Sequence, residues 1–138
     1  MDGKLLLRIA GGATLGFGLL AIFFPSFMVD YADFNTTAAQ SYSEIRAIFG
    51  GLFIVLGAAV LAGPGSPARK ARIKLVGMVF LGCIAGRVIG MIFDGPFHLT
   101  PWVGLLLEGA AAWCIFAGLR RVERPVAVIK AKVDSPAP

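Results

Sequence analysis

The stretch Gly86-Arg87-Val88-Ile89-Gly90-Met91-Ile92-Phe93-Asp94-Gly95 decides how the chain must be read. It sets a fixed positive charge inside an apolar run and places a carboxylate seven residues further on. Seven residues is almost two helical turns, so Arg87 and Asp94 share a helix face. A charge deep in a membrane-spanning helix costs at least roughly 2.5–3.5 kcal/mol unless it is paired or hydrated. The remaining sequence reads as the structure that makes this charge tolerable.

Of the 138 residues 57% are apolar, with a mean hydropathy of +0.80. A soluble domain is about 45–50% apolar. The excess falls in four blocks, about 5–24, 43–62, 73–93 and 101–119, separated by short polar stretches. Each is close to the roughly 20 apolar residues that cross a bilayer as a helix. The fold expected is therefore all-α: an integral membrane four-helix bundle, up-down-up-down, over residues 1–119. Residues 120–138 read as a basic, flexible cytoplasmic tail. A signal peptide is the rival reading of the first block, but the block is long for one and no small-x-small site directly follows it. The net charge of +5 does not point to nucleic acid, because the basic residues sit at block ends and form no aromatic-interleaved patch.

Punctuation between the blocks is clear. Residues 25–36 read either as a short amphipathic helix with Phe27, Met28, Tyr31 and Phe34 at helical spacing, or as an irregular loop with aromatic anchors. Thr37-x-x-Gln40 and Ser41-x-x-Glu44 both resemble capping boxes and start the second helix near Ala38. Gly63-Pro64-Gly65-Ser66-Pro67 ends it. Gly12 and Gly16 make a GxxxG pair, and Gly82, Gly86 and Gly90 a double one, which is expected to be the closest-packing surface of the chain. Cys83 and Cys114 have no CxxC or Cys/His neighbour, so neither a metal site nor a disulfide framework is expected. His98 is the single histidine and lies in a loop, without a partner for general-base work.

Charge assigns the topology. Of 13 Lys and Arg, eleven fall on one side of a four-span arrangement: Lys4, Arg8, the four between Arg69 and Lys74, and the five after Leu119. Asp30, Asp33 and Asp94 fall on the other, which puts both termini in the cytoplasm. Arg87 then lies roughly 10 Å, and Glu108 roughly 11 Å, from the outer ends of their helices. The two are level on helices joined by a short loop, and are expected to pair. Gly104 and Ala112 flank Glu108 on one helix stripe and turn it towards a neighbouring helix. Arg46, Glu44 and Asp94 are expected above the pair. The candidate site is thus a polar cluster of Glu44, Arg46, Arg87, Asp94 and Glu108 in the outer half of the bilayer.

Ser43-Glu44-Ile45-Arg46-Ala47-Ile48-Phe49-Gly50-Gly51, Gly86-Arg87-Val88-Ile89-Gly90 with Asp94-Gly95, and Glu108 together resemble a domain-of-unknown-function family of small four-helix bacterial inner-membrane proteins. The resemblance covers most of residues 5–119. It implies four helices, a multi-pass place in the cell inner membrane and a shared polar site, and carries no activity with it.

Three readings of the cluster stand open. It binds or moves a small amphiphile, a lipid headgroup or an anionic metabolite, since Arg suits planar carboxylate and phosphate groups. Alternatively it only holds helices in register, in a structural or accessory membrane subunit. A third reading, an intramembrane acid–base enzyme using Glu108 or Asp94, has no nucleophile–histidine pair, metal-ligand set or phosphate loop behind it. No cofactor is expected. The partners expected are the lipid bilayer, a small anionic or amphiphilic ligand, and a homodimer or larger membrane complex. A fluorescent reporter fused after Pro138 should be bright, and one active only outside the cytoplasm should be silent; the reverse pattern would invert the topology.

Overall fold

The computed structural model describes residues 2–32, 39–93 and 99–134. Among these the chain is helical: α1 (Gly3–Phe23), α2 (Pro25–Ala32), α3 (Ala39–Ile45), a π-helical segment (Arg46–Leu52), α4 (Phe53–Leu61), α5 (Pro67–Phe93) and α6 (Leu99–Asp134). Four stretches are long and apolar enough to cross a membrane: Gly3–Phe23, Tyr42–Leu61, Pro67–Phe93 and Pro101–Glu123.

Local chemistry sets the ends. Asp2 caps α1, its Oδ1 accepting from the Lys4 N–H at 3.2 Å. Phe24 ends α1 because the residue before a proline is pushed away from helical backbone, and Pro25 opens α2. The 25–36 linker is therefore helical as far as Ala32, with Met28 buried beside Ala21 and Ile45. After Leu61 the chain turns at Gly63, whose φ of +71° suits glycine. Ser66 caps α5 through Oγ, which accepts from the Arg69 N–H at 3.3 Å, and Pro67 takes the first helical position. The backbone of α6 continues through Asp134, so residues 120–134 are helical where a flexible tail is expected.

Helix α1 and the second span approach backbone to backbone. The contact runs through Gly11, Gly18, Gly50 and Gly57, two glycines per helix at seven-residue spacing. A Cβ on Gly57 would lie 2.5 Å from the Leu15 nitrogen, and one on Gly18 would lie 2.7 Å from the Ile54 nitrogen. The GxxxG expectations are corrected accordingly. A Cβ on Gly12, Gly16, Gly82 or Gly86 would meet nothing within 4 Å. The reason lies in helix phase. The core-facing stripe of α5 is Ile73, Val76, Gly77 and Phe80. Gly82 is five residues past Gly77, about 140° around the helix, and so turns outward. GxxxG permits close approach but does not say which face has a neighbour.

The main core gathers Leu7, Ala10, Val60, Ile73, Val76, Phe80, Ala112, Ile115 and Leu119. Phe53 bridges the layers, with ring centroids 5.0 Å from Phe17 and 6.3 Å from Phe80. Buried residues on α5 stop at Phe80. Beyond it Ile89, Ile92 and Phe93 are exposed, Phe93 by 83%. The half of the α5–α6 pair that carries Arg87 therefore lies past the end of the apolar core.

Substitution should follow the close contacts. Gly57→Ala and Gly18→Ala should lower thermal stability in detergent by roughly 1–3 kcal/mol through overpacking against backbone. Gly82→Ala and Gly12→Ala should leave it unchanged or raise it slightly. Equal effects at all four sites would contradict this packing.

Candidate functional site

Arg87 continues the core stripe of α5. It stands seven residues after Phe80, on the same face. Glu108 does the same on α6, four residues before buried Ala112 and on one line with Ile115 and Leu119. The register between the helices is fixed lower down, where Gly77 lies against Ile115 and Phe116. Ten residues further along α5, Arg87 meets Gly104 and Glu108 of α6. Residue numbers rise along one helix as they fall along the other, so the two charges meet by register.

The meeting is a bidentate ion pair. Arg87 Nε donates to both Glu108 carboxylate oxygens at 3.0 Å, and Nη2 donates to Oε1 at 2.8 Å. This geometry matches a planar guanidinium to a planar carboxylate and is among the stronger hydrogen-bond arrangements. The side chains are 32% and 13% exposed for Arg87 and Glu108, so the carboxylate is the more enclosed partner. Gly104 makes room for it: a Cβ there would lie 2.6 Å from Arg87 Nε.

Among the described residues of the expected cluster, Glu44 and Arg46 do not join this pair. Glu44 and Arg46 are exposed. They stand at the start of the second span, which packs chiefly on α1, and Arg46 Nε donates to the Ile22 carbonyl at 3.1 Å. That carbonyl is one of the last in α1, where helical carbonyls lack intrahelical donors and attract cations. A local backbone partner thus takes the guanidinium that was expected above Arg87. Asp94 lies outside the described residues. Of the expected five residues, Arg87 and Glu108 come together in a partly buried pair, and Arg46 is directed instead to the Ile22 carbonyl.

Sequence reasoning also missed the π-helical segment Arg46–Leu52. Its signal was the adjacent pair Gly50-Gly51 within an apolar run. Single-turn π segments often mark functional positions. Here the segment carries Arg46 at its start and Gly50 against Ile22, where an added Cβ would lie 2.7 Å from Ile22 Cγ1. Elsewhere, the Thr14 hydroxyl donates to the Ala10 carbonyl at 2.8 Å, so the buried polar group on α1 is satisfied within its own helix.

The family profile described as "Domain of unknown function (DUF4345)" matches residues 3–119. The chain belongs to the DUF4345 family. The matched region ends at Leu119, the last residue of the apolar core on α6. Neither a curated protein nor a solved structure matches the chain. The profile's description assigns no activity to the family.

Because Gly104 is the seat of the guanidinium, Gly104→Ala should displace Arg87 and weaken the pair. The expected loss is roughly 1–3 kcal/mol by thermal unfolding in detergent. Gly109→Ala, where a Cβ meets nothing within 4 Å, should cost nothing. If Gly104→Ala were equally silent, the close contact with Arg87 would be refuted.

Proposed function

We propose that this DUF4345 protein is a multi-pass inner-membrane protein, up-down-up-down with both termini cytoplasmic, that binds a small acidic amphiphile beside Arg87. The supporting observation is the uneven exposure of the ion pair, 32% for Arg87 against 13% for Glu108, in the half of α5–α6 past the apolar core. An ionisable group held within an apolar span is a functional candidate by default. The guanidinium already holds one carboxylate in bidentate fashion. A ligand carboxylate or phosphate offers the same planar or forked acceptor. In this reading Glu108 is the internal competitor that occupies Arg87 until the ligand displaces it. Arg46 and Glu44 then belong to the start of the second span, not to the anion contact.

A second reading is supported by the pair's own completeness. Three hydrogen bonds and the Gly104 seat make a clamp that fixes helix register where apolar packing has ended. The protein would then be a structural or accessory subunit with no ligand at this position.

Laurate, with dodecanol as neutral control, separates the two. Glu108→Gln keeps the side-chain shape and removes the competing charge, so it should tighten laurate binding in nonionic detergent. Arg87→Gln should weaken it about tenfold or more, the size of one lost charge-assisted contact. Identical weak binding of laurate and dodecanol to all three proteins would leave the clamp as the function of the pair.

A further inference from the structure

We propose that an outward-facing groove between α5 and α6, on the core side of the ion pair, holds one anionic phospholipid of the bilayer. The groove has a volume of about 490 Å³, with Leu81 and Ile84 of α5 on one wall and Trp113 of α6 on the other. Gly109 opens its far end, since a Cβ there would meet nothing within 4 Å. Arg120 and Arg121 close the near end, and both are exposed. From Gly109 to Arg120 is eleven residues of helix, about 16 Å. The groove is thus a long apolar slot with two guanidinium groups at one end.

That combination selects its occupant. The volume lies within the roughly 300–1,000 Å³ of small-molecule sites. Apolar walls of this length suit an acyl chain, and a small water-soluble anion would leave them uncovered. Guanidinium groups at the rim suit a phosphate, which they match by paired hydrogen bonds. The surrounding end of the bundle is basic as well. Arg72 and Lys74 are exposed at the start of α5, and Lys70 lies 3.8 Å from Glu123. Basic pockets between spans at this membrane level are where anionic headgroups are recognised. A second copy of the chain is a poorer occupant, since it would bring its own basic end against Arg120 and Arg121. The acyl chain runs from the arginines towards Gly109, which faces about 100° round α6 from Glu108, so this site lies on a different face from the one proposed above.

Native mass spectrometry of the full chain tests the proposal. The probe is an equimolar mixture of phosphatidylglycerol and phosphatidylcholine with matched acyl chains. The wild type should retain phosphatidylglycerol with a preference of about tenfold or more, as expected for two arginines facing a headgroup with net negative charge, which the choline ammonium cancels in phosphatidylcholine. Arg120→Gln with Arg121→Gln should bring that preference close to parity. Gly109→Leu places its side chain in open space and should lower retention of phosphatidylglycerol while the protein stays folded. Arg87→Gln should leave the preference intact, which keeps this result independent of the laurate experiment. Equal retention of both lipids by the wild type would overturn the proposal. So would a preference that survives both the double arginine variant and Gly109→Leu, or a lipid-free dimer.

Discussion

A guanidinium carried on the core stripe of an apolar helix has to meet an acceptor, and the α5–α6 pair is built around that requirement. Arg87 falls in phase with Phe80 and Glu108 in phase with Ala112, so each charge occupies a position where its helix would otherwise present an apolar side chain. Antisense register brings them to one level. Gly104 then removes the side chain that would stand in the guanidinium's place. Three separate features of the sequence, on two helices, are needed to make one bidentate contact. Desolvation opposes such a pair, and the partial exposure of Arg87 reduces that cost while also weakening the attraction. The net contribution is a modest one in energy and a specific one in geometry.

The two halves of the molecule are held by different means. Near the chain's first residues, α1, α4, α5 and α6 share the apolar core that includes Leu7, Val60, Ile73 and Leu119, and Gly3 lies against Gly118. The second span is drawn onto α1 by glycine contacts, which bring backbones together where lipid supplies no hydrophobic drive between helices. Towards the other end the buried stripe of α5 is exhausted, and there Arg87 and Glu108 supply a directed polar contact between α5 and α6. The second span keeps an apolar contact at that end, where Ile45 is buried with Ala21 and Met28 and Arg46 donates to the Ile22 carbonyl beside them.

Much of this was legible in the sequence. The four apolar blocks gave the four spans, and the level depths of Arg87 and Glu108 on adjacent helices gave the pair. What failed was facing. Gly82 and Gly86 looked like the tightest surface because spacing alone cannot say whether a neighbour stands opposite. Gly50 and Gly57 share a stripe with Arg46 that the sequence turns towards a neighbouring helix, but nothing in the second span identifies Gly11 and Gly18 of α1 as the matching surface. The expected place of Arg46 failed for a related reason. Depth from charge placed Arg46 near Arg87, but depth carries no information about azimuth, and the second span turns Arg46 towards the end of α1. The π-helical segment was hidden because only the Gly50-Gly51 step hinted at it.

The central claim is that Arg87 and Glu108 fasten α5 to α6 beyond the apolar core through a direct pairwise interaction. A double-mutant cycle of Arg87→Ala, Glu108→Ala and the combined variant, by thermal unfolding in detergent, tests it most directly. Each single change should destabilise, and the double variant should recover part of the summed loss, with a coupling of roughly 0.5–3 kcal/mol. Strictly additive losses, or single variants as stable as the wild type, would contradict the claim.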